Sequence, residues 1–425
     1  MSLSPPRTAP VSIVGRLPIL AALGLTFLLF AVLMNSVGPV ILQAVLSFGV
    51  PKTQAALLEG CKDLSVAAAS FFVALFLGRL GYRRGTALGL LAVAAACFAV
   101  PVVHAFWALE LEFAIVGVGF AIAKTSVYVI VGLVTSERRA HASMTSMLEG
   151  VFMIGVLSSY WLFSLWISPR DPAALSWLGV YRLLGGAAIL VAAAIAFAPL
   201  DEEAARHGHA GLRDLFLAMP RLLSLPFVLA FLACAFLGVL VEQSIGSWLP
   251  TFNREVMNLP PTLSVQLASL YAMALAVGRL GAGVVLRRIP WLWVAATGVI
   301  GAALLLAIVV PLTGPGALGV RATWADLPPS AYAVPVVGLL MAPIYPTLCS
   351  SVLSGLPTTQ HAAMTGLILI SSALGGTIGS FITGHVFAAL SGKAAFLGIL
   401  PPLGCLLLAM FVFEAQLRRR ASLRV

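Results

Sequence analysis

Twelve stretches of this chain are long and apolar enough to cross a lipid bilayer, and that count constrains the fold more than any other feature. A membrane-spanning helix needs about 20 mostly apolar residues. The stretches cover 16–40, 54–77, 86–107, 111–135, 143–167, 177–199, 222–248, 261–286, 291–312, 331–356, 362–389 and 394–416. Turn-forming runs such as Gly49-Val50-Pro51 and Leu259-Pro260-Pro261 separate them. Composition agrees: 60% of the 425 residues are hydrophobic and only 9% are charged. A water-soluble globular domain carries about 25% charged residues, so a soluble enzyme and a secreted domain are excluded. The expected fold class is an all-α membrane protein.

Charge placement predicts the orientation. Of the 25 lysines and arginines, 17 fall in segments on the side of the N-terminus, including Arg83, Arg84, Arg138, Arg139 and Arg418–Arg420. Six fall on the other side. This asymmetry is the positive-inside pattern, and it predicts both termini in the cytoplasm of a cell inner (plasma) membrane. The net charge of +10 is then a topological signal, and no basic face interleaved with aromatics suggests nucleic acid. The five cysteines form no CxxC pair, and no metal-ligand spacing, phosphate loop or nucleophile elbow occurs. Neither a cofactor nor an enzymatic activity is expected.

An internal repeat divides the chain. Gly78-Arg79-Leu80-Gly81 ends the second stretch, and Gly278-Arg279-Leu280-Gly281 recurs late in the eighth. VLMNSVG (32–38) is echoed by VLVEQSIG (239–246). Parallel six-helix repeats are common in secondary transporters. The expected units are 1–200 and 222–425, with a polar linker at 201–221.

At these residues the chain resembles the major facilitator superfamily, whose loop between helices two and three reads G-x-x-x-D-R-x-G-R-[RK]. Gly78, Arg83 and Gly85 match, Arg84 adds charge, and Tyr82 stands where the family has Asp. The resemblance implies twelve helices in two pseudo-symmetric bundles and transport by alternating access. It also implies a gate built from Gly78, Arg79, Arg83, Arg84 and Gly85, with Gly278 and Arg279 as the counterpart in the second half. Ser247-Trp248-Leu249-Pro250 and Pro343-Ile344-Tyr345-Pro346-Thr347 are similar in texture to the fucose–proton symporter type. The Gly-Pro signature of drug antiporters is missing from the fifth stretch.

Ionisable groups inside the bilayer are costly and point to function. Glu59, Lys62 and Asp63 lie in the second stretch, Lys124 in the fourth, Glu149 in the fifth and Glu242 in the seventh. Glu59 and Lys62 have helix-neighbour spacing and can pair. Lys124, about 20 Å deep at 1.5 Å per residue, requires a carboxylate or an aqueous cavity, and Asp63 is its leading expected partner, with Glu149 second. Asp63, Lys124, Glu59, Glu149 and Glu242 are the candidates for substrate and proton coupling. Asn35, Tyr128, Tyr160, Gln243, Trp248, Tyr271 and Tyr345 are the expected cavity lining. The predicted function is proton-coupled symport of a small polar solute: a sugar, an organic anion or a siderophore-like chelate. Proton-driven efflux of an amphipathic compound and a non-transporting membrane sensor are the alternatives. The partners are then substrate, protons and lipid, and the expected state is a monomer.

Overall fold

A computed structural model describes residues 13–135, 138–200, 202, 212–315 and 323–422. Among these residues it is helical throughout, without strands. In order the helices are α1 (Ile13–Met34), α2 (Val37–Phe48), α3 (Lys52–Ala55), α4 (Leu57–Leu80), α5 (Tyr82–Val103), α6 (Phe106–Val134), α7 (Arg138–Trp166), α8 (Gly179–Phe197), α9 (Leu212–Leu223), α10 (Pro226–Gly246), α11 (Leu249–Glu255), α12 (Pro261–Val285), α13 (Trp291–Leu312), α14 (Pro329–Ala333), α15 (Val337–Met341), α16 (Ile344–Ser354), α17 (His361–Ala389), α18 (Gly392–Leu397) and α19 (Leu400–Ser422).

Eleven helical stretches among the described residues have the length and apolar composition to cross a membrane. Helix α4, with 24 residues, completes the twelve. Its first two turns carry Glu59, Lys62 and Asp63 and dilute its hydropathy. Twelve crossings put the start of α1 and the end of α19 on one side, called the terminal side below. The opposite side is the distal side.

Two spans break where polar residues interrupt them. The first divides at Asn35-Ser36 into α1 and α2, and the seventh divides at Ser247-Trp248 into α10 and α11. At the first break Asn35 Nδ2 donates to the Ala31 carbonyl at 2.9 Å and Ser36 Oγ to that of Leu33 at 2.8 Å. These side chains add a second hydrogen bond to carbonyls that already accept from the Asn35 and Ser36 backbone N–H groups at 3.2 and 3.3 Å. The tenth span is also segmented, as Pro343 and Pro346 lead one to expect. Its α15 and α16 meet at Ala342-Pro343.

Glycines set the closest helix approaches. Gly375 and Gly379 of α17 face the Phe236 and Leu240 carbonyls of α10, where a Cβ would collide with backbone. Gly117 of α6 meets the Lys62 carbonyl of α4 in the same way, and Gly338 of α15 meets the Tyr271 carbonyl of α12. Small residues four apart let membrane helices pack backbone to backbone, where dispersion is the main attraction.

The halves join along α4 against α17 and along α7 against α12. Their polar cross-links gather on the distal side. Lys52 Nζ lies 3.0 Å from Glu255 Oε1, and Gln266 Nε2 donates to Ser164 Oγ at 3.2 Å. The rings of Trp161 and Trp324 stack with centroids 5.9 Å apart. Gly38 of α2 sits against the Gly246 carbonyl of α10.

Replacing Gly379 with Leu is expected to lower stability by about 1–3 kcal/mol, the usual cost of overpacking. Thermal unfolding of the purified variant in detergent checks this. Gly24 of α1, where added Cβ volume meets nothing within 4 Å, is the matched control.

Candidate functional site

The site starts with one turn of α4. Glu59, Lys62 and Asp63 share a face there, and this face meets the second half of the chain. The Glu59 carboxylate is fully buried. Lys62 Nζ donates to Glu59 Oε1 and lies 3.4 Å from Asp63 Oδ1. It also donates to the Met34 carbonyl at 3.4 Å, at the break between α1 and α2. From across the interface, Gln243 Nε2 donates to Glu59 Oε1 and Ser247 Oγ to Glu59 Oε2, both at 2.6 Å. Asp63 packs against Gly376 of α17, where a Cβ would collide with the carboxylate. One buried lysine thus sits between two acids, and the second half supplies the remaining donors to one of them.

Beside this cluster is a cavity of about 60 Å³ lined by Asn35, Glu59, Lys62, Tyr160, Glu242, Gln243 and Tyr271, among others. It has room for a few waters and lies well below the 300–1,000 Å³ of a typical ligand pocket. A larger cavity of about 690 Å³ runs between α4, α5 and α6. Its lining is almost wholly apolar, from Ala68 and Phe72 to Val118 and Ile122, with Ser65 the polar exception. It offers lipid tails a groove and a polar solute nothing to hold.

The cavity continues toward the terminal side as a column of polar groups. Arg279 Nη2 of α12 lies 3.1 Å from Glu242 Oε1 of α10, and Tyr271 Oη donates to the Glu242 carbonyl at 3.2 Å. In the first half, Tyr128 Oη donates to Glu149. Lys124 is exposed, with its ammonium 5.6 Å from the Phe120 ring centroid.

Three expectations need correction. Lys124 does not pair with Asp63: Lys62, on the same helical turn, takes that carboxylate. Among the described residues no carboxylate lies within 4.0 Å of Lys124, and Glu149 is engaged by Tyr128. The local pair wins because adjacent side chains need no helix to move. Arg279 is not at a helix end beside a gate loop. Helix α12 runs on to Val285, six residues further, and Arg279 points to Glu242. Trp248 is not cavity lining. It is fully buried, donates through Nε1 to the Ser380 carbonyl and hydroxyl at 3.1 Å, and packs on Phe387. Tyr345 is half-buried and its hydroxyl lies 3.1 Å from Ser372 Oγ.

The gate motif behaves differently in the two halves. Gly78 and Arg79 end α4, Arg79 and Arg84 are exposed, and Gly85 receives Leu77 and Leu80. Arg83 turns instead to Glu202, beyond α8, with Nε 3.1 Å from Oε1, and donates through Nη1 to the Ala198 carbonyl. Glu202 also accepts from the backbone N–H groups of Tyr82 and Arg83 at 2.8 and 3.0 Å. It caps the N-terminus of α5, where a carboxylate is favoured. Gly278 faces Leu339 and Ala342 and serves helix packing.

Sequence reading missed Glu202, whose flanks look like plain linker, and Ser247, a neutral residue with no signal of its own. It also missed Glu112, which is almost fully buried in α6 with Cys97 Sγ 3.9 Å from Oε1. The expected span began at 111, which made Glu112 look interfacial, whereas α6 starts at Phe106.

Comparison with known proteins now bears on these features. The family model of the Major Facilitator Superfamily matches residues 23–380. The chain belongs to this superfamily of membrane transporters. Among solved structures, a bacterial homologue of the human lysosomal transporter Spinster, inward-facing and occupied, aligns with a TM-score of 0.73 at 14% identity, covering 96% of this chain and 98% of that one. The nucleoside transporter NupG aligns at 0.70 with 14% identity, covering 95% and 98%. The transporter FucP in its outward conformation aligns at 0.59 with 17% identity, covering 94% and 98%. No curated protein sequence matches.

Removing one member of a buried ion pair usually costs about 3–5 kcal/mol, because the other charge is stranded. Lys62→Met alone is therefore expected to destabilise the protein by about that amount. Lys62→Met combined with Glu59→Gln should cost clearly less than the sum of the two single changes. Unfolding midpoints for the four members of this double-mutant cycle decide it.

Proposed function

We propose that this transporter takes up a small polar solute by proton-coupled symport, and that the proton resides on the Glu59–Lys62–Asp63 cluster. The observation that carries the reading is the cross-half engagement of Glu59 by Gln243 and Ser247. The cluster holds two acids and one base, so with all three ionised it keeps one uncompensated negative charge. Burying such a charge is costly, and a proton on Asp63 removes it. The neutral cluster then favours the tight distal packing around Gly376. Loss of the proton restores the charge and favours an opening that readmits water. Because that opening lies on the distal side, a solute carried in with the proton leaves toward the terminal side beforehand, while the neutral cluster keeps the distal side shut.

The direction of uptake fits this arrangement. The distal side is closed by Lys52–Glu255 and by the α7–α12 contacts, and the polar column below opens away from them. The excess of basic residues on the terminal side supports a cytoplasmic location for both chain ends in the plasma membrane. Polar neighbours Asn35, Tyr160, Gln243 and Tyr271 around the small cavity suit a hydrogen-bonding solute better than an amphipathic drug. A monomer, with one substrate path between two halves, is sufficient for this cycle.

Asp63→Asn is expected to abolish proton-driven accumulation by at least about tenfold while leaving solute exchange across the membrane. Proteoliposomes with an imposed pH gradient measure the first, and counterflow without one measures the second. Accumulation at the wild-type level by Asp63→Asn would exclude Asp63 as the proton carrier. Loss of both activities in a folded variant would assign it to substrate binding instead.

A further inference from the structure

Two cations of the spans lie outside the Glu59 cluster: Lys124, with no carboxylate within 4.0 Å among the described residues, and Arg279, which is paired with Glu242. Lys124 shares a face of α6 with Phe113, Gly117 and Phe120, all buried. Phe120 packs on Phe30 of α1 and Phe152 of α7. Tyr128, one turn on, packs on Phe27 of α1. This face therefore meets α4 at Gly117 and turns toward α1 and α7 at Phe120 and Tyr128, away from the exposed Leu111 and Val118. Lys124 itself is exposed, with its ammonium over the Phe120 ring.

Arg279 lies one turn beyond Leu275 and two beyond Tyr271 and Ala272, which line the cavity. One arm of its guanidinium reaches Glu242, while its buried Nε–H has no hydrogen-bond partner among the described residues. An orphaned buried donor is costly, and guanidinium has five donors to place. The two cations also stand at matching depth. Each is about 18 residues, or about 27 Å, from the distal end of its helix. One belongs to each half.

We infer that Lys124 and Arg279 clamp the carboxylate of the transported solute, which makes the substrate a small organic acid. The inference rests on the transport reading above and narrows its substrate class. Arg279 presents a planar fork suited to a carboxylate edge, and Lys124 adds a point charge with freely rotating donors. A neutral sugar or nucleoside would leave Lys124 without a counter-charge and the Arg279 Nε–H without an acceptor when the halves close around it. An acid matches them, and its polar body can extend distally toward Tyr160 and Gln243. Because the grip takes one cation from each half, a bound acid draws the halves together over itself.

The test uses the full-length protein in detergent and a panel of matched solutes: gluconate against glucose, lactate against propane-1,2-diol, and benzoate against benzyl alcohol. At least one acid is expected to raise the thermal unfolding midpoint in a saturable way while its neutral partner does not. Lys124→Gln should weaken that binding by about tenfold or more, because a charge-assisted hydrogen bond is lost, and Lys124→Arg should retain it. Arg279→Gln is paired with Arg279→Gln/Glu242→Gln, which keeps the local charge balanced if the single variant folds poorly. Both should lose acid binding. Stabilisation by no acid, equal stabilisation by a neutral partner, or wild-type affinity in Lys124→Gln overturns the clamp. The transport reading fails separately: an acid that binds through both cations but is not carried in proteoliposomes leaves the clamp standing without transport. A neutral solute accumulated normally by Lys124→Gln leaves transport standing without the clamp.

Discussion

The rest of the site depends on one buried carboxylate. Glu59 has no solvent exposure and accepts hydrogen bonds from its own helix, through Lys62, and from the opposite half, through Gln243 and Ser247. In a low-dielectric interior such a group holds its neighbours firmly because its alternative is an unsatisfied charge. The break at Asn35-Ser36 frees the Met34 carbonyl to help hold Lys62. The break at Ser247-Trp248 places the Ser247 hydroxyl on Glu59. The two interrupted spans and the charge cluster are therefore one construction, and it ties the halves together only where they are closed.

Charge arithmetic connects this cluster to the column below it. Glu149 and Glu242 match Lys124 and Arg279 in number, although only Arg279 is in contact with its acid, and the cluster above carries one acid in excess. Loading one proton and one monoanion together leaves the sum unchanged. Empty and loaded carriers then meet the same electrostatic barrier to reorientation, since the cost of moving the halves is set by the net charge buried between them. A proton without its anion, or the anion without its proton, alters that sum. Coupling can thus arise from the count of buried charges, without any long-range signal between the two sites.

Much of the fold was legible because apolar length is a strong signal in a bilayer. The ninth span was expected at 291–312 and is Trp291–Leu312. The eighth and eleventh differ from expectation by a residue. Side-chain partners were far less legible. Periodicity placed Glu59, Lys62 and Asp63 on one face and allowed the Glu59–Lys62 pair, but it said nothing about which face meets α10. That depends on the helix rotation set by Gly117 against the Lys62 carbonyl and Gly376 against Asp63. Nor does linear sequence show that Lys124 and Asp63, both at depth, point to different partners. The expectation paired the two most conspicuous charges, and the structure pairs the two nearest ones.

The repeated Gly-Arg-Leu-Gly shows why identical motifs can carry different work. In the first half Gly81 adopts φ 90°, a conformation that glycine tolerates and other residues avoid. Helix α4 stops there, so Arg79 is left exposed at its last turn and the chain turns directly into α5. In the second half Gly281 stays within α12, which continues to Val285, so the same arginine lies inside the membrane. An arginine at that depth needs a carboxylate, and Glu242 supplies it. No acid stands at the matching place of the first half, where Asn35 occurs instead. The difference between an exposed arginine and one paired within the bundle therefore comes from one glycine's backbone angle and one acid on a neighbouring helix. A shared four-residue motif records the duplication, while its surroundings decide the chemistry.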